Sequence, residues 1–416
     1  MTAGTSARGG LLRVRDFRLL WFGETTSMLG SSVASVALPL VAVVVLHTST
    51  FVTALLAAIA WLPWLLVGLP AGAWVDRWPK RPVMLLCNTV SMAVFASVPV
   101  VAWLGVLTVT HLLVAAFLGG VTRVFFTLAY RAYLPTLVED DQLLEANTKL
   151  KGSESAAQIA GPGLAGLLAQ AFGAVAGVLA DAVSFGISVL CLRSVRAREP
   201  RREVATRVRL RTEIADGLRF VLRDRFLRVL AVFGATSNIG LVGYHSIEVV
   251  FLARDLHASP GVIGVVLALG GLGGVVGALL AGRIARRFGN ARGFLLCEVF
   301  VAPMLLLGPL AGGGAGLAFF VVAAFGLEAG LTASNIMTAT FRQRYCPPEL
   351  FGRITASAAV LNYGAIPLGA LLGGVLGEVT GVREALWLMA GFQFLAVLVL
   401  LLSPFRPLRD LPARPV

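Results

Sequence analysis

Between two long apolar runs the chain carries the charged turn Gly72-Ala73-Trp74-Val75-Asp76-Arg77-Trp78-Pro79-Lys80-Arg81. It carries Gly282-Arg283-Ile284-Ala285-Arg286-Arg287-Phe288-Gly289-Asn290-Ala291-Arg292 in the same setting 210 positions later (282 − 72). In a chain of 416 residues, a turn that returns after half the length means two similar halves.

Each half has to be built for lipid. The chain is 57% hydrophobic and only 14% charged, with a mean hydropathy of +0.84, which is more apolar surface than a soluble domain can hide. A helix crosses the hydrocarbon layer with about 20 apolar residues and pairs its own backbone groups on the way. Apolar runs fall at about 18–46, 50–75, 82–107, 110–133, 152–171 and 174–193, then at about 228–254, 259–283, 293–312, 316–341, 353–377 and 384–402. An all-α membrane protein of twelve spans is therefore expected. Its divisions would be a first six-helix half over 1–193, a linker over 194–227 and a second half with a short tail over 228–416. The fifth run, which holds Glu154, is the least apolar. Cys87, Cys191, Cys297 and Cys346 have no paired spacing and no histidine cluster nearby, so neither a disulfide nor a metal is expected.

Positive residues beside short loops stay in the cytoplasm. Of the 35 Lys and Arg, all but Arg123, Arg254 and Arg383 fall on the side of both termini in this assignment. Both termini are thus expected in the cytoplasm of a multi-pass membrane protein, and 32 Arg against 3 Lys suit a GC-rich bacterium and so its inner membrane. The net charge of +13 then follows from topology, and no nucleic-acid partner is expected. The first apolar run is too long for a signal-peptide core, so the first span reads as an anchor. In the linker, Ile214, Leu218, Val221 and Leu222 recur at helical spacing among arginines. That pattern suits an amphipathic helix on anionic headgroups, although a solvated linker reads equally well.

The first charged turn fits G-x-x-x-D-R-x-x-[KR]-[KR] between the second and third spans, and so resembles the signature loop of the major facilitator superfamily of secondary transporters. The resemblance covers almost the whole chain and implies two pseudo-symmetric six-helix halves with the substrate between them. It also implies that Gly72, Asp76, Arg77, Lys80 and Arg81 form an inner gate. In that gate Asp76 latches onto the other half's helix ends and cations, with Arg131 as a nearby partner. An aspartate at such a site contributes about 0.3–1 kcal/mol, or about 2 when partly buried, which is weak enough for a latch that must open. Pro79 stands where the family usually has glycine, and Arg286 replaces the acid in the second copy. Any latch is therefore expected in the first copy.

The fifth span contains Gln158-Ile159-Ala160-Gly161-Pro162-Gly163-Leu164-Ala165-Gly166. Proline bends a helix, and glycines on one face let another helix come close. The stretch resembles the G-P-x-x-G-G element of drug-proton antiporters through Gly161, Pro162 and Gly166, with Ala165 replacing one glycine; in that family the element accompanies export. Phe17-Arg18-Leu19-Leu20-Trp21-Phe22-Gly23-Glu24, Tyr133-Leu134-Pro135, Glu145-Ala146-Asn147, Ala180-Asp181-Ala182-Val183-Ser184-Phe185 and Cys346-Pro347-Pro348-Glu349-Leu350-Phe351-Gly352-Arg353 look like the branch of siderophore and macrolide exporters.

Ionisable residues inside spans cost about 2.5–3.5 kcal/mol each on insertion scales and are functional candidates for that reason. Arg123 and Glu328 lie nearest mid-depth, with Glu24 somewhat inward, Asp181 somewhat outward and Glu248 in the outer third. An acid that alternates between apolar surroundings and an arginine can bind and release a proton. Glu24 and Glu328 are read in that role, and Arg123 as a counter-charge. Static ion pairs are the competing reading for Arg123 and Asp181. Candidate lining residues are Trp61, Trp64, Phe125, Phe126, Asn238, Tyr244, His245, Asn335, Asn362 and Tyr363, a set that suits large amphipathic ligands, although aromatic residues also pack between helices.

No phosphate loop with Lys-Ser/Thr, no H-E-x-x-H and no G-x-S-x-G is present, so neither an enzyme nor a cofactor is expected. The reading is a monomeric exporter of a drug or natural product, working by proton antiport and alternating access. The alternatives are a facilitator or importer of a metabolite, and a membrane sensor that transports nothing.

Overall fold

The computed structural model describes residues 10–139, 142–197, 199, 218–346 and 348–410, and among the described residues there is no strand. The side chains of 69, 73, 76, 344, 348–353 and 355–361 lie outside the described set. The first half comprises α1 (Arg15–Leu40), α2 (Thr50–Leu66, continued beyond Val67 by Gly68–Arg77), α3 (Lys80–Trp103), α4 (Val109–Tyr133), α5 (Leu143–Phe172) and α6 (Val175–Ser194). The second comprises α7 (Arg225–Val250), α8 (Pro260–Phe288), α9 (Asn290–Leu307), α10 (Leu317–Tyr345), α11 (Pro348–Val379) and α12 (Val382–Leu401).

Nine of the described helices are long and apolar enough to cross a membrane. Of the other three, α2 is a shorter apolar helix lengthened by its continuation, and α5 carries Glu145, Lys149, Lys151 and Glu154 in its first half. In α11 the charges Glu349 and Arg353 likewise fall near the start. Helix ends are set locally. Ser49, Thr108 and Asp224 cap α2, α4 and α7 by accepting first-turn N–H groups. Gly289, at φ 85°, turns the chain between α8 and α9 in a conformation that a side chain would strain.

The duplication is visible in detail. Both α1 and α7 end in a widened turn, over Val41–Val45 and Phe251–Asp255. A left-handed histidine follows each turn, His47 and His257, both at φ 51° and again 210 positions apart (257 − 47). Helix pairing repeats as well. Within the first half α1 packs on α5 and α6, α3 on α4 and α6, and α2 on α4. Within the second, α7 packs on α11 and α12, α9 on α10 and α12, and α8 on α10. The halves meet along α5 with α8 and α2 with α11. The fold is therefore the expected all-helical pair of six-helix halves. Of the amphipathic linker segment, residues 213–217 lie outside the described residues; 218–223 are helical, and Val221 is buried against the second half's core.

The apolar core is divided unevenly. Helices run alternately between a face rich in arginine, which carries the Gly72–Arg81 turn, and an opposite face. Toward the opposite face a single cluster takes in both halves, from Val33, Leu40 and Phe95 through Ala165 to Ile247, Ile263 and Leu386. Toward the basic face the core splits in two. One cluster, around Phe17, Met84 and Tyr133, belongs wholly to the first half, and another, around Phe226, Phe294 and Phe405, wholly to the second. Among the described residues the halves thus share one apolar core at one face and have separate cores at the other.

Candidate functional site

The matching helices α4 and α10 each have a polar residue exposed at mid-length. Thr122 and Ser334 are buried and bonded inward, to Ser91 at 2.7 Å and to Glu298, and the next residues, Arg123 and Asn335, are exposed. Arg123 lies over the Trp61 ring, 5.8 Å from its centroid. Trp61 and Trp64 on α2 both pack against Tyr363 on α11, with centroids 5.8 and 5.2 Å apart, so this aromatic group spans the seam. A cation beside three rings that belong to both halves is suited to a flat or amphipathic ligand.

Other sequence candidates fall elsewhere. Phe125 stacks with Trp74 and Trp78 nearer the basic face, at 6.1 and 6.3 Å, and Phe126 stacks on Tyr130. Asn238 donates to Asn362 at 3.1 Å within the second half. Tyr244 is 2% exposed, packed beside Phe320 and Gly308 inside that half rather than in the gap. His245 bonds to Glu248 at 3.0 Å, and Glu328 lies within electrostatic reach of both.

Two acids of the first half are enclosed. Glu24 is buried with its Oε2 unpartnered, and Trp21 Nε1, Thr25 Oγ1, Tyr130 Oη and Tyr133 Oη on α1 and α4 are also without hydrogen bonds. Asp181 is 1% exposed at the α1–α6 contact, where Ser31 and Ser184 donate to it at 3.4 and 3.3 Å. Arg123 is in electrostatic reach of both carboxylates, and among the described residues neither is in a salt bridge.

A third buried acid went unnoticed in the sequence. Glu298 on α9 is 2% exposed, accepts from Gln393 Nε2 at 3.0 Å and from Ser334, and Gln393 in turn accepts from Ser237 at 2.7 Å. One polar chain therefore ties α7, α9, α10 and α12. The signal that would have found it is the repeat, because Glu298 lies 210 positions after Asn88 (298 − 88), which is buried and bonded to Ser188 at 2.8 Å.

On the basic face the repeated spacing of the turns becomes matching caps. Glu199, beyond α6, accepts the N–H groups of Lys80 and Arg81 at 2.7 and 2.6 Å, closing the start of α3. Arg81 donates to the carbonyls of Leu192 and Arg193 at 3.1 and 2.8 Å, closing the end of α6. In the second half Asp410, beyond α12, accepts the N–H of Asn290 at 3.0 Å at the start of α9. Each of these contacts stays within its half. Lys80 also donates to Trp78 O at 2.8 Å, while Arg77 and Arg131 are exposed. A Cβ on Gly72 would meet nothing, and the Asp76 side chain lies outside the described residues.

On the opposite face the contacts cross the seam. Among the described residues three hydrogen bonds join the halves, and all are here. Arg254 donates to Thr48 O, Phe51 N–H donates to Glu378 Oε2 at 3.3 Å, and Gly261 N–H donates to Gln170 Oε1 at 3.3 Å. The fifth-span element sits on the same seam. A Cβ on Gly161 would strike Ser32 of α1, whereas a Cβ on Gly166 would lie 2.6 Å from Pro260 O and 2.7 Å from Gly264 Cα of α8. Pro162 presents its carbonyl oxygen to Gly264, so backbone meets backbone.

Comparison with known proteins agrees with this architecture. The family described as transmembrane secretion effector matches residues 9–414. The chain is 29% identical to the multidrug efflux pump Tap of Mycolicibacterium fortuitum, over 95% of this chain and 98% of that one. It is 22% identical to macrolide efflux protein A of Streptococcus pyogenes, over 88% and 91%. Among solved structures, a point mutant of the nucleoside transporter NupG superposes with a TM-score of 0.80 at 12% identity, covering 93% of this chain and 99% of that one. A bacterial homologue of the iron transporter ferroportin in an inward-facing state gives 0.74 at 19% identity, covering 94% and 99%.

Proposed function

Because the chain belongs to the transmembrane secretion effector family of the major facilitator superfamily, a family of non-enzymatic membrane transporters, we propose that it exports small amphipathic compounds across a bacterial inner membrane by proton antiport and alternating access. Two of its relatives are named for multidrug and macrolide efflux, which supports a drug-like or natural-product substrate. The basic face, with both termini, is the cytoplasmic one, and anionic headgroups lie beside it.

One observation supports the mechanism: among the described residues the apolar core is continuous between the halves at the opposite face and split at the basic face. Such a molecule admits a ligand from the cytoplasm to the gap beside Arg123, Trp61, Trp64 and Tyr363. Export then requires the halves to rock about that site, parting the outer contacts and closing the inner ones. Asp76 latches the inner side onto the helix ends and cations of the other half when it closes, with Arg131 as a nearby partner. Residues 1–193 and 228–416 move as the two bodies, with 194–227 as the tether. Glu24 and Glu328 carry the proton. Arg123, near Glu24, is the counter-charge whose distance changes during the cycle, and Asp181, held by two serines, steadies α1 against α6.

The test uses a monomeric preparation in proteoliposomes, following accumulation of fluorescent amphiphiles with and without a pH gradient. Gradient-driven accumulation that is lost in Glu328→Gln or Glu24→Gln is expected. Equal transport with and without the gradient would overturn proton antiport in favour of a facilitator.

A further inference from the structure

The start of a helix leaves N–H groups without partners, and a side chain that accepts one stabilises that end. At the opposite face this service is exchanged between the halves. Phe51 and Gly261 are the second residues of α2 and α8 and stand 210 positions apart (261 − 51). The N–H of each is taken at 3.3 Å by a side chain from the other half, near the end of the helix that packs alongside: Glu378 of α11 for Phe51, Gln170 of α5 for Gly261. In α8 the residue that would ordinarily cap, Ser259, makes no such bond, and Pro260 has no N–H to offer. The third tie, Arg254 to Thr48 O, uses one of two arginines on this face among the described residues, where positive residues run against the topology bias. The other, Arg383, is engaged within its own half, with the carbonyls of Pro309 and Ala311 and the ring of Phe251.

The basic face shows the contrast. There the comparable donors, at the starts of α3 and α9, are met from within the same half by Glu199 and Asp410. Caps inside a half survive any rocking of one half on the other. Caps between halves must break when the opposite face parts.

We propose that Gln170, Glu378 and Arg254 are the positioning residues that hold the outer gate shut, and that they set how much of the protein faces outward at rest. This rests on the alternating-access reading above. Each acts through the seam and touches neither substrate nor proton site.

The experiment is hydrogen exchange followed by mass spectrometry on the full chain in lipid nanodiscs, without substrate or gradient. Gln170→Ala and Glu378→Ala are compared with Gln170→Glu and Glu378→Gln, which keep an accepting oxygen. A lost cap shifts an equilibrium about fivefold. Each alanine variant should therefore speed exchange of residues 46–55 and 256–265 by about that factor, and slow exchange at the far face, in residues 126–137 and 338–346, as the inner side closes. The acceptor-keeping variants should match the wild type. Faster exchange confined to the outer segments would make these residues local caps only and overturn the proposal, as would no change at all. If an alanine variant does not reach the membrane, Arg254→Met is read by the same four segments. A failed transport assay leaves this result standing, and an overturned gate leaves the export reading intact.

Discussion

Glu298 stands in the second half where Asn88 stands in the first. Asn88 on α3 donates to Ser188 on α6 at 2.8 Å, and Glu298 on α9 accepts from Gln393 on α12 at 3.0 Å. The same helix pair is bridged in both copies, by a neutral pair in one and by an acid in the other. Glu298 is enclosed by its own half, away from the gap.

Removing that acid should damage stability more than transport chemistry. Glu298→Ala leaves Gln393 and Ser334 facing a void in the interior, where an unmet polar group costs about 1–3 kcal/mol. Thermal unfolding in detergent should drop by several degrees, while Glu298→Gln, which can still bond, should unfold near the wild-type temperature and retain gradient-driven transport. Loss of gradient dependence in Glu298→Gln would move Glu298 into the proton path.

The two inner caps should be equivalent and independent. Glu199→Ala and Asp410→Ala each release first-turn donors of one helix, at a cost of about 1 kcal/mol apiece. Because the two act in different halves, the losses in unfolding temperature should add in the double variant. A double variant no less stable than either single one would show that the caps belong to one shared contact.

Gly166 and Gly264 leave no room for a side chain where α5 meets α8. Gly166→Val would drive its Cβ to 2.6 Å from Pro260 O, and such overpacking costs about 1–3 kcal/mol. The cost falls on the state closed at the opposite face. Membrane insertion should be normal, efflux in whole cells should fall about tenfold or more, and a thiol probe should label Val262→Cys faster in this background. Normal efflux would show that α8 can shift without consequence.

The aromatic group across the seam should set apparent affinity. Trp61→Ala removes both the ring beneath Arg123 and a partner of Tyr363, contacts worth about 0.5–1.5 kcal/mol each. KM for aromatic amphiphiles should rise about fivefold to tenfold with little change in maximal rate. A pure loss of rate would mean that Trp61 serves the motion of the halves instead.

How much of this could be read beforehand follows from the range of each interaction. The apolar runs, the repeated turn and the paired halves depend on composition and short spacing, and all were legible. Arg123 and Asn335 were legible as odd polar residues in apolar helices. Their matching exposure was not, since it depends on which face of α4 and α10 the neighbouring helices leave uncovered. Tyr244 looked like a lining residue because its side chain is amphipathic, but the close approach of Gly308 draws it inside the half. Asp181 stood out as a buried charge, whereas its serine partner on α1 lies 150 residues away. The basic residues Lys80 and Arg81 were visible, yet the acid that meets their backbone is 119 and 118 residues downstream, beyond any local pattern.

That last separation bears on how the protein is made. A ribosome adding about 5–20 residues per second delivers α3 to the membrane on the order of ten seconds before Glu199 exists. The first half is then stitched shut before α7 has begun. In the second half, 120 residues separate Asn290 from Asp410, so α9 likewise waits on the order of ten seconds for its cap. A nascent chain that stalls between Asn290 and Asp410 would hold one complete half, with the start of α9 still open to water.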